Sequence, residues 1–169
     1  GEFRDSDGGV FDDRGRCIFL APHPYLVPSL MDDLFNWMQD EKDNTHPLIL
    51  SCIFHYEFVF IHPFCDGNGR IARLWHTTLL SKWKPIFEYI PLESQIEKFQ
   101  DDYYSAIAKC HVLGESTLFI EFMLSQIDKI LDDISKQVNE DIEQIDPNIK
   151  KLLDVMEDDV SYSSNELMQ

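Results

Sequence analysis

An all-α fold with one small β-hairpin is predicted for this chain, and three observations carry it. Apolar residues recur at helical spacing over most of the length beyond residue 25. Strand character is confined to Val10 through Leu20, with turn residues Asp12 to Gly15 in its middle. A glycine-rich run then follows one apolar helical stretch and leads into another, which places a loop between two core helices.

The elements follow in order. Residues 10–20 read as two short strands, ended by Ala21-Pro22-His23-Pro24. Leu26, Leu30, Met31, Leu34, Phe35 and Met38 form one face of an amphipathic helix. Asp43-Asn44-Thr45 offers an N-cap, and Pro47 suits the first turn of the next helix. That helix, to about Ile61, is apolar nearly all round, as a central core helix is. Pro63 closes it. A second core helix is expected from near Gly69 through Leu74, Thr78, Leu79 and Trp83. Further helices are expected over 93–110, from Ile96, Phe99, Tyr103 and Ile107, and over 116–143, from Phe119, Phe122, Met123, Ile127 and Ile130. Pro147 breaks the pattern. A short helix over 148–156 and a helix cap at Ser163 to Met168 complete the reading. Residues 1–145 thus form the core, with the hairpin at about 10–20, and 146–169 a C-terminal extension.

With 169 residues, 44% of them hydrophobic, the chain can bury one sizeable core. The longest apolar run, Leu48 to Ile61, is interrupted by His55 and Glu57, so no membrane span is expected. Four scattered cysteines without a Cys-x-x-Cys pair suit reduced thiols and a cytoplasmic location. Gly1-Glu2-Phe3 lacks an initiator Met and reads as a vector remnant. A net charge of −17 argues against nucleic acid as the main partner. An anionic ligand is still accommodated, because the acids crowd the last third and screening over roughly 8–10 Å isolates them from a local basic site.

The chemistry is concentrated in His62-Pro63-Phe64-Cys65-Asp66-Gly67-Asn68-Gly69-Arg70, with Arg73 three residues on. His62 is the candidate general base, since an imidazole is neutral near pH 7 and can take a hydroxyl proton. Asp66 is the candidate Mg²⁺ ligand; Mg²⁺ binds through one or two carboxylates together with substrate phosphates. Gly67, Asn68 and Gly69 form a turn whose N–H groups can approach phosphate oxygens, with the Asn68 amide as a further contact. A helix starting there aims its unpaired N–H groups and positive dipole end at the same anion. Arg70 and Arg73 lie three apart on that helix and share a face. Cys65 has no assigned part. A zinc site from His55, Glu57 and His62 is disfavoured, because a helix end falls between the histidines and no cysteine pair accompanies them. His76 reads as structural.

This run resembles the signature of the Fic family, His-Pro-Phe-x-Asp/Glu-Gly-Asn-Gly-Arg-x-x-Arg, with every specified position matched and only Cys65, Ile71 and Ala72 at free positions. The resemblance extends over the hairpin and the helices to about residue 145. It implies a Fic-type helical bundle with the active-site loop between two core helices and the hairpin as a flap. It implies protein adenylyl transfer, with ATP as substrate and Mg²⁺ as cofactor, and makes self-modification an expected activity. A target Ser, Thr or Tyr hydroxyl would attack the α-phosphate while His62 takes the proton. Arg70 would hold the inner phosphates and Arg73 the terminal one. The hairpin at about residues 10–20 would pair edge-on with the target protein. Two alternatives stay open: an inactive nucleotide-sensing module serving a DNA-binding domain, and a relative that transfers another phosphate-containing group. Many Fic proteins carry a winged helix after the core, and two readings of residues 146–169 stay open: the start of a truncated one, or a frayed tail.

Regulation is also implied. Many Fic enzymes carry an inhibitory segment, Ser/Thr-x-x-x-Glu-Gly/Asn, whose Glu pairs with the motif's second arginine. Only Thr117 to Glu121 has the spacing here, and Phe122 follows instead of Gly or Asn. It reads as a chance match inside an apolar helix. In relatives of this layout the inhibitory helix often precedes the hairpin, which would put it upstream of Gly1. Arg73 is therefore expected to be unpaired by any Glu of this chain, and the chain to be more active than a longer parent.

Overall fold

The computed structural model describes residues 2–12 and 14–143. Helices predominate, with one two-stranded antiparallel sheet. Contacts divide the chain into two compact units, 1–130 and 131–169. In the second unit the described residues are helical to Glu143. The expected elements at 148–156 and 163–168 lie outside the described residues. The site lies wholly in the first unit.

Strands β1 (Gly9–Phe11) and β2 (Cys17–Leu20) form the hairpin. Asp12 fixes its turn: one carboxylate oxygen accepts the N–H groups of Arg14 and Arg16, at 3.0 and 2.8 Å. The register slips between Val10 and Phe11, as a bulge requires. A Cβ on Gly9 would lie 2.6 Å from the Phe19 carbonyl oxygen, so only glycine fits there. Phe19 is buried and stacks on His111 and Phe60, with ring centroids 4.9 and 5.7 Å away. That contact seats the hairpin on the helices.

Helix α1 (Val27–Glu41) turns Met31, Leu34 and Met38 inward, which is the predicted face. Helix α2 (Pro47–Ile61) is buried on most sides. Its N-cap is His46, whose Nδ1 accepts the Leu48 N–H, and not Asp43, Asn44 or Thr45. Asn44 and Thr45 instead bond back to Asp40 and Glu41 at the end of α1. Helix α3 (Asn68–Trp83) buries Ala72, His76 and Leu80. Leu74 and Trp83, expected in the core, are exposed. Phe35, Phe54 and Trp75 form an aromatic cluster across α1, α2 and α3, with centroids 5.3–5.6 Å apart.

The single helix expected over 93–110 is two. Helix α4 (Leu92–Lys98) stops at Phe99, and α5 (Gln100–Leu113) starts after it. Helical periodicity continues through the break, so the sequence hides it. Helix α6 (Thr117–Glu143) matches the expected span. In the first unit it buries Phe119, Met123, Ile127 and Ile130. Among the described residues no helix is long and apolar enough to cross a membrane.

Candidate active site

The motif is the connection between α2 and α3, the two most intimately packed helices. His62 ends α2 in the left-handed conformation, φ 52° and ψ 58°, with its N–H bonded to the Phe58 carbonyl at 3.0 Å. Gly67 starts α3 in the same region, φ 83°, where a side chain would be strained. These two left-handed residues reverse the chain within a short loop. The loop is held from inside by Asn68. Its amide oxygen accepts the Phe64 N–H at 2.9 Å and its amide nitrogen donates to the Phe64 carbonyl at 2.7 Å. Asn68 is 1% exposed. The amide that was expected on an anion is thus spent on the loop itself. Phe64 in turn packs on Phe58 and Phe3.

His62 is half-buried. Its Nδ1 lies 3.4 Å from the Val59 carbonyl oxygen, so Nδ1 carries the proton and Nε2 is left as the basic atom. Burial holds the imidazole below its ordinary pKa. The Val59 bond opposes this, and the nearby positive Arg4 adds to it. The ring is therefore neutral, and able to accept a proton, at pH 7.

The first turn of α3 supplies N–H groups with no helical partner. Each arginine faces one glycine of the turn. A Cβ on Gly67 would lie 3.5 Å from Arg70 Nη2, and one on Gly69 would lie 3.2 Å from Arg73 Nη1. Asp66 is open to solvent, and one of its oxygens takes a hydrogen bond from Arg70 Nη2 at 3.1 Å. Its second oxygen has no hydrogen bond among those described. A carboxylate with one oxygen outside its ion pair with Arg70 could take a hard cation such as Mg²⁺, whose remaining ligands would be water and phosphate.

Arg73 overturns an expectation. Its Nη2 and Nε both donate to Glu93 Oε1, at 2.9 and 3.2 Å. Glu93 opens α4, twenty residues on, and was given no role from the sequence. Glu121 does not pair with Arg73 in the described contacts. Arg73 and Glu93 form one wall of an open cleft of about 220 Å³ whose floor includes Ile96, Tyr103 and Tyr104.

The sequence reading also missed Arg4. It is 4% exposed and donates to the carbonyl oxygens of His62, Ser6 and Pro22. Its own N–H bonds the Pro63 carbonyl at 2.9 Å. Phe3, at the end of the segment read as a vector remnant, sets its ring 5.8 Å from that of Phe64 in the motif. No periodic pattern marks either residue. The only local signal was an arginine among small and acidic neighbours, which is too common to interpret. His55 and His76 lie apart from this chemistry, fully buried; His55 Nε2 meets Tyr103 Oη at 3.1 Å, and His76 Nδ1 the Ser51 carbonyl at 3.1 Å.

Comparison with known proteins shows the family and the fold. A model of the Fic/DOC family matches residues 1–80, which include the hairpin, α1, α2 and the motif. The chain is 33% identical over 116 residues to the protein adenylyltransferase Fic of Drosophila mojavensis, covering 67% of this chain and 22% of that protein. It is 40% identical over 78 residues to the Aquifex aeolicus (strain VF5) relative named "Probable protein adenylyltransferase", covering 46% of this chain and 23% of that one. The crystal structure of a Fic family protein from Desulfovibrio desulfuricans G20 superposes with a TM-score of 0.73 at 40% identity, over 99% of this chain and 49% of that one. The chain thus spans about a fifth of the length of these curated relatives and about half of the solved one. The motif, the fold around it and these likenesses together make this chain a member of the Fic family.

Proposed function

We propose that this chain carries the catalytic core of a protein adenylyltransferase, moving AMP from ATP to a Ser, Thr or Tyr hydroxyl of a target protein, with itself among the targets. The observation that carries the reading is the placement of a neutral imidazole, His62, beside a helix N-terminus flanked by Arg70 and Arg73. The names of the relatives from Drosophila mojavensis and Aquifex aeolicus support the same chemistry.

The α-phosphate would sit against the N–H groups of the first turn of α3, with Arg70 on the inner phosphates and Arg73 on the terminal one. The target oxygen forms a bond to the α-phosphorus as the bond to the bridging oxygen breaks, and pyrophosphate departs in line. His62 Nε2 receives the hydroxyl proton. Asp66 would hold Mg²⁺, whose charge offsets that of the phosphates. The hairpin β1–β2 is the docking element for the target, with its strand edge offered for main-chain pairing.

The test is incubation with Mg²⁺ and ATP labelled at the α-phosphate, followed by mass spectrometry of the chain. An added AMP on a hydroxyl residue is the expected result. Saturable ATP binding with no transfer, to itself or to cell proteins, would replace the enzyme with a nucleotide sensor. An added phosphate in the mass spectrum with no label on the chain would replace AMP with phosphate as the group moved.

A further inference from the structure

Arg4 is a buried cation whose contacts are all main-chain oxygens. Nε donates to the His62 carbonyl at 2.7 Å, Nη1 to Ser6 at 2.9 Å, and Nη2 to Pro22, with Ile61 3.4 Å from the same nitrogen. No carboxylate pairs with it among the described residues. Burying a guanidinium without a counter-ion is costly unless its donors are satisfied. Two of the acceptors here, the carbonyls of Ile61 and His62, lie at the C-terminal end of α2, where carbonyls have no helical partner and face the negative end of its dipole.

The three groups of acceptors belong to three pieces of chain. Ile61 and His62 end the core helix, Pro22 leaves the hairpin, and Ser6 precedes it. The hairpin is tied into the same joint by Ala21 N–H on the Gly8 carbonyl at 2.9 Å. A Cβ on Gly8 would lie 3.4 Å from Arg4 Cδ and 4.0 Å from His62 Cδ2, so Gly8 lies over both. His62 needs such a clamp. It is a non-glycine residue at positive φ, a conformation that persists only where the surroundings impose it.

We infer that Arg4 is a positioning residue for the transfer reaction, fixing the backbone of His62 and locking the docking hairpin to it in one geometry. The inference rests on the proposed role of His62 as base. A planar fork with donors on three nitrogens reaches acceptors spread over three segments, whereas the three donors of lysine share one nitrogen. Loss of the clamp lets His62 relax and separates the aim of the base from the register of the target. Burial is the main cause of the lowered imidazole pKa, and the positive charge of Arg4 beside the ring adds to it.

The test uses the full chain with Arg4→Gln and Arg4→Lys, and His62→Ala as reference. Three quantities are measured: labelling rate, ATP affinity, and the titration of the His62 ring by NMR. Arg4→Gln is expected to lower the labelling rate about tenfold to a hundredfold, the effect of misplacing a reacting group by about 1 Å. ATP affinity should stay within about threefold, because the phosphate groups are held elsewhere. The His62 ring should titrate at a higher pH than in the parent. Arg4→Lys should keep the parent titration and recover only part of the rate. A merely structural Arg4 would lower all activities together through loss of folded protein and leave the titration of the folded fraction unmoved. Labelling by folded Arg4→Gln within about twofold of the parent would overturn the inference. If Arg4→Gln does not fold, Arg4→Lys carries the same test, and a folded Arg4→Lys at the parental rate overturns it. His62→Ala labelling as fast as the parent would instead remove the base, and with it the reading on which the inference stands.

Discussion

Arg73 and Glu93 are joined by two hydrogen bonds to one carboxylate oxygen, Nη2 at 2.9 Å and Nε at 3.2 Å. The carboxylate takes the Nε–Nη2 edge of the guanidinium, while Nη1 stays beside Gly69. The arginine expected to be free of any Glu of the chain is held by one, from a helix the motif does not include. The argument that this chain should outpace a longer parent because Arg73 stands free loses its basis.

Glu93→Gln should tighten ATP binding without tightening ADP binding. The carboxylate offsets the charge of Arg73 where a terminal phosphate would sit, and the amide does not. Glu93 is 66% exposed, so the pair contributes little, about 1 kcal/mol or less, and the gain should be about two- to fivefold. Calorimetric titration with both nucleotides checks it. Equal changes for ATP and ADP would mean that Glu93 does not act at the terminal phosphate.

His62→Ala should abolish transfer and leave ATP affinity within about threefold, because the base touches the nucleophile and not the phosphates. The pH profile follows from the lowered imidazole pKa. The rate should fall on the acid side with its midpoint below 6.5, as the ring takes up a proton. An acid limb with its midpoint above 6.5 would contradict the environment seen here.

Asp66→Ala should lose the Mg²⁺-dependent part of ATP affinity together with the rate. Its side chain is 91% exposed and its bond to Arg70 is a solvent-screened pair, so the unfolding midpoint should not move measurably. Binding assays with Mg²⁺ and with EDTA distinguish the cases. Equal loss of affinity in EDTA would place Asp66 outside metal binding.

Stability should fall with acid before the carboxylates titrate. His55 and His76 are fully buried and neutral. Burial holds His55 well below 6.5 and pushes His76 down to about 4. Between those values the unfolded chain binds protons that the folded chain does not, so stability declines as pH falls from about 6.5 to about 4. At pH 5 the loss from His76 should be about 2 kcal/mol, and His55 adds to it in the same direction. Urea unfolding between pH 7 and 5 measures it, and His76→Asn should flatten the slope. A pH-independent midpoint across that window would show that the two rings are not held neutral.

The sequence by itself determined most of the elements and the residue types of the candidate site. Helices α1, α2 and α6 were legible because burying one face of a helix imposes a period that survives in the chain. The hairpin was legible from Asp12 to Gly15 because turns depend on local backbone preferences. The run from His62 to Arg73 was legible because its residues act within one loop and one helical turn.

Tertiary structure decided everything that joins distant residues. Glu93 meets Arg73 across twenty residues, and Arg4 meets His62 across fifty-eight. Neither distance has a period to read. The amide of Asn68 faced two acceptable environments, a bound anion or the Phe64 backbone. Packing of Phe64 on Phe58 and Phe3 buried that backbone and left its N–H and C=O in need of partners. The end of α4 at Phe99 left no break in the helical periodicity either. A buried polar group takes whichever partner the packed chain brings within reach, and only the folded chain fixes which one that is.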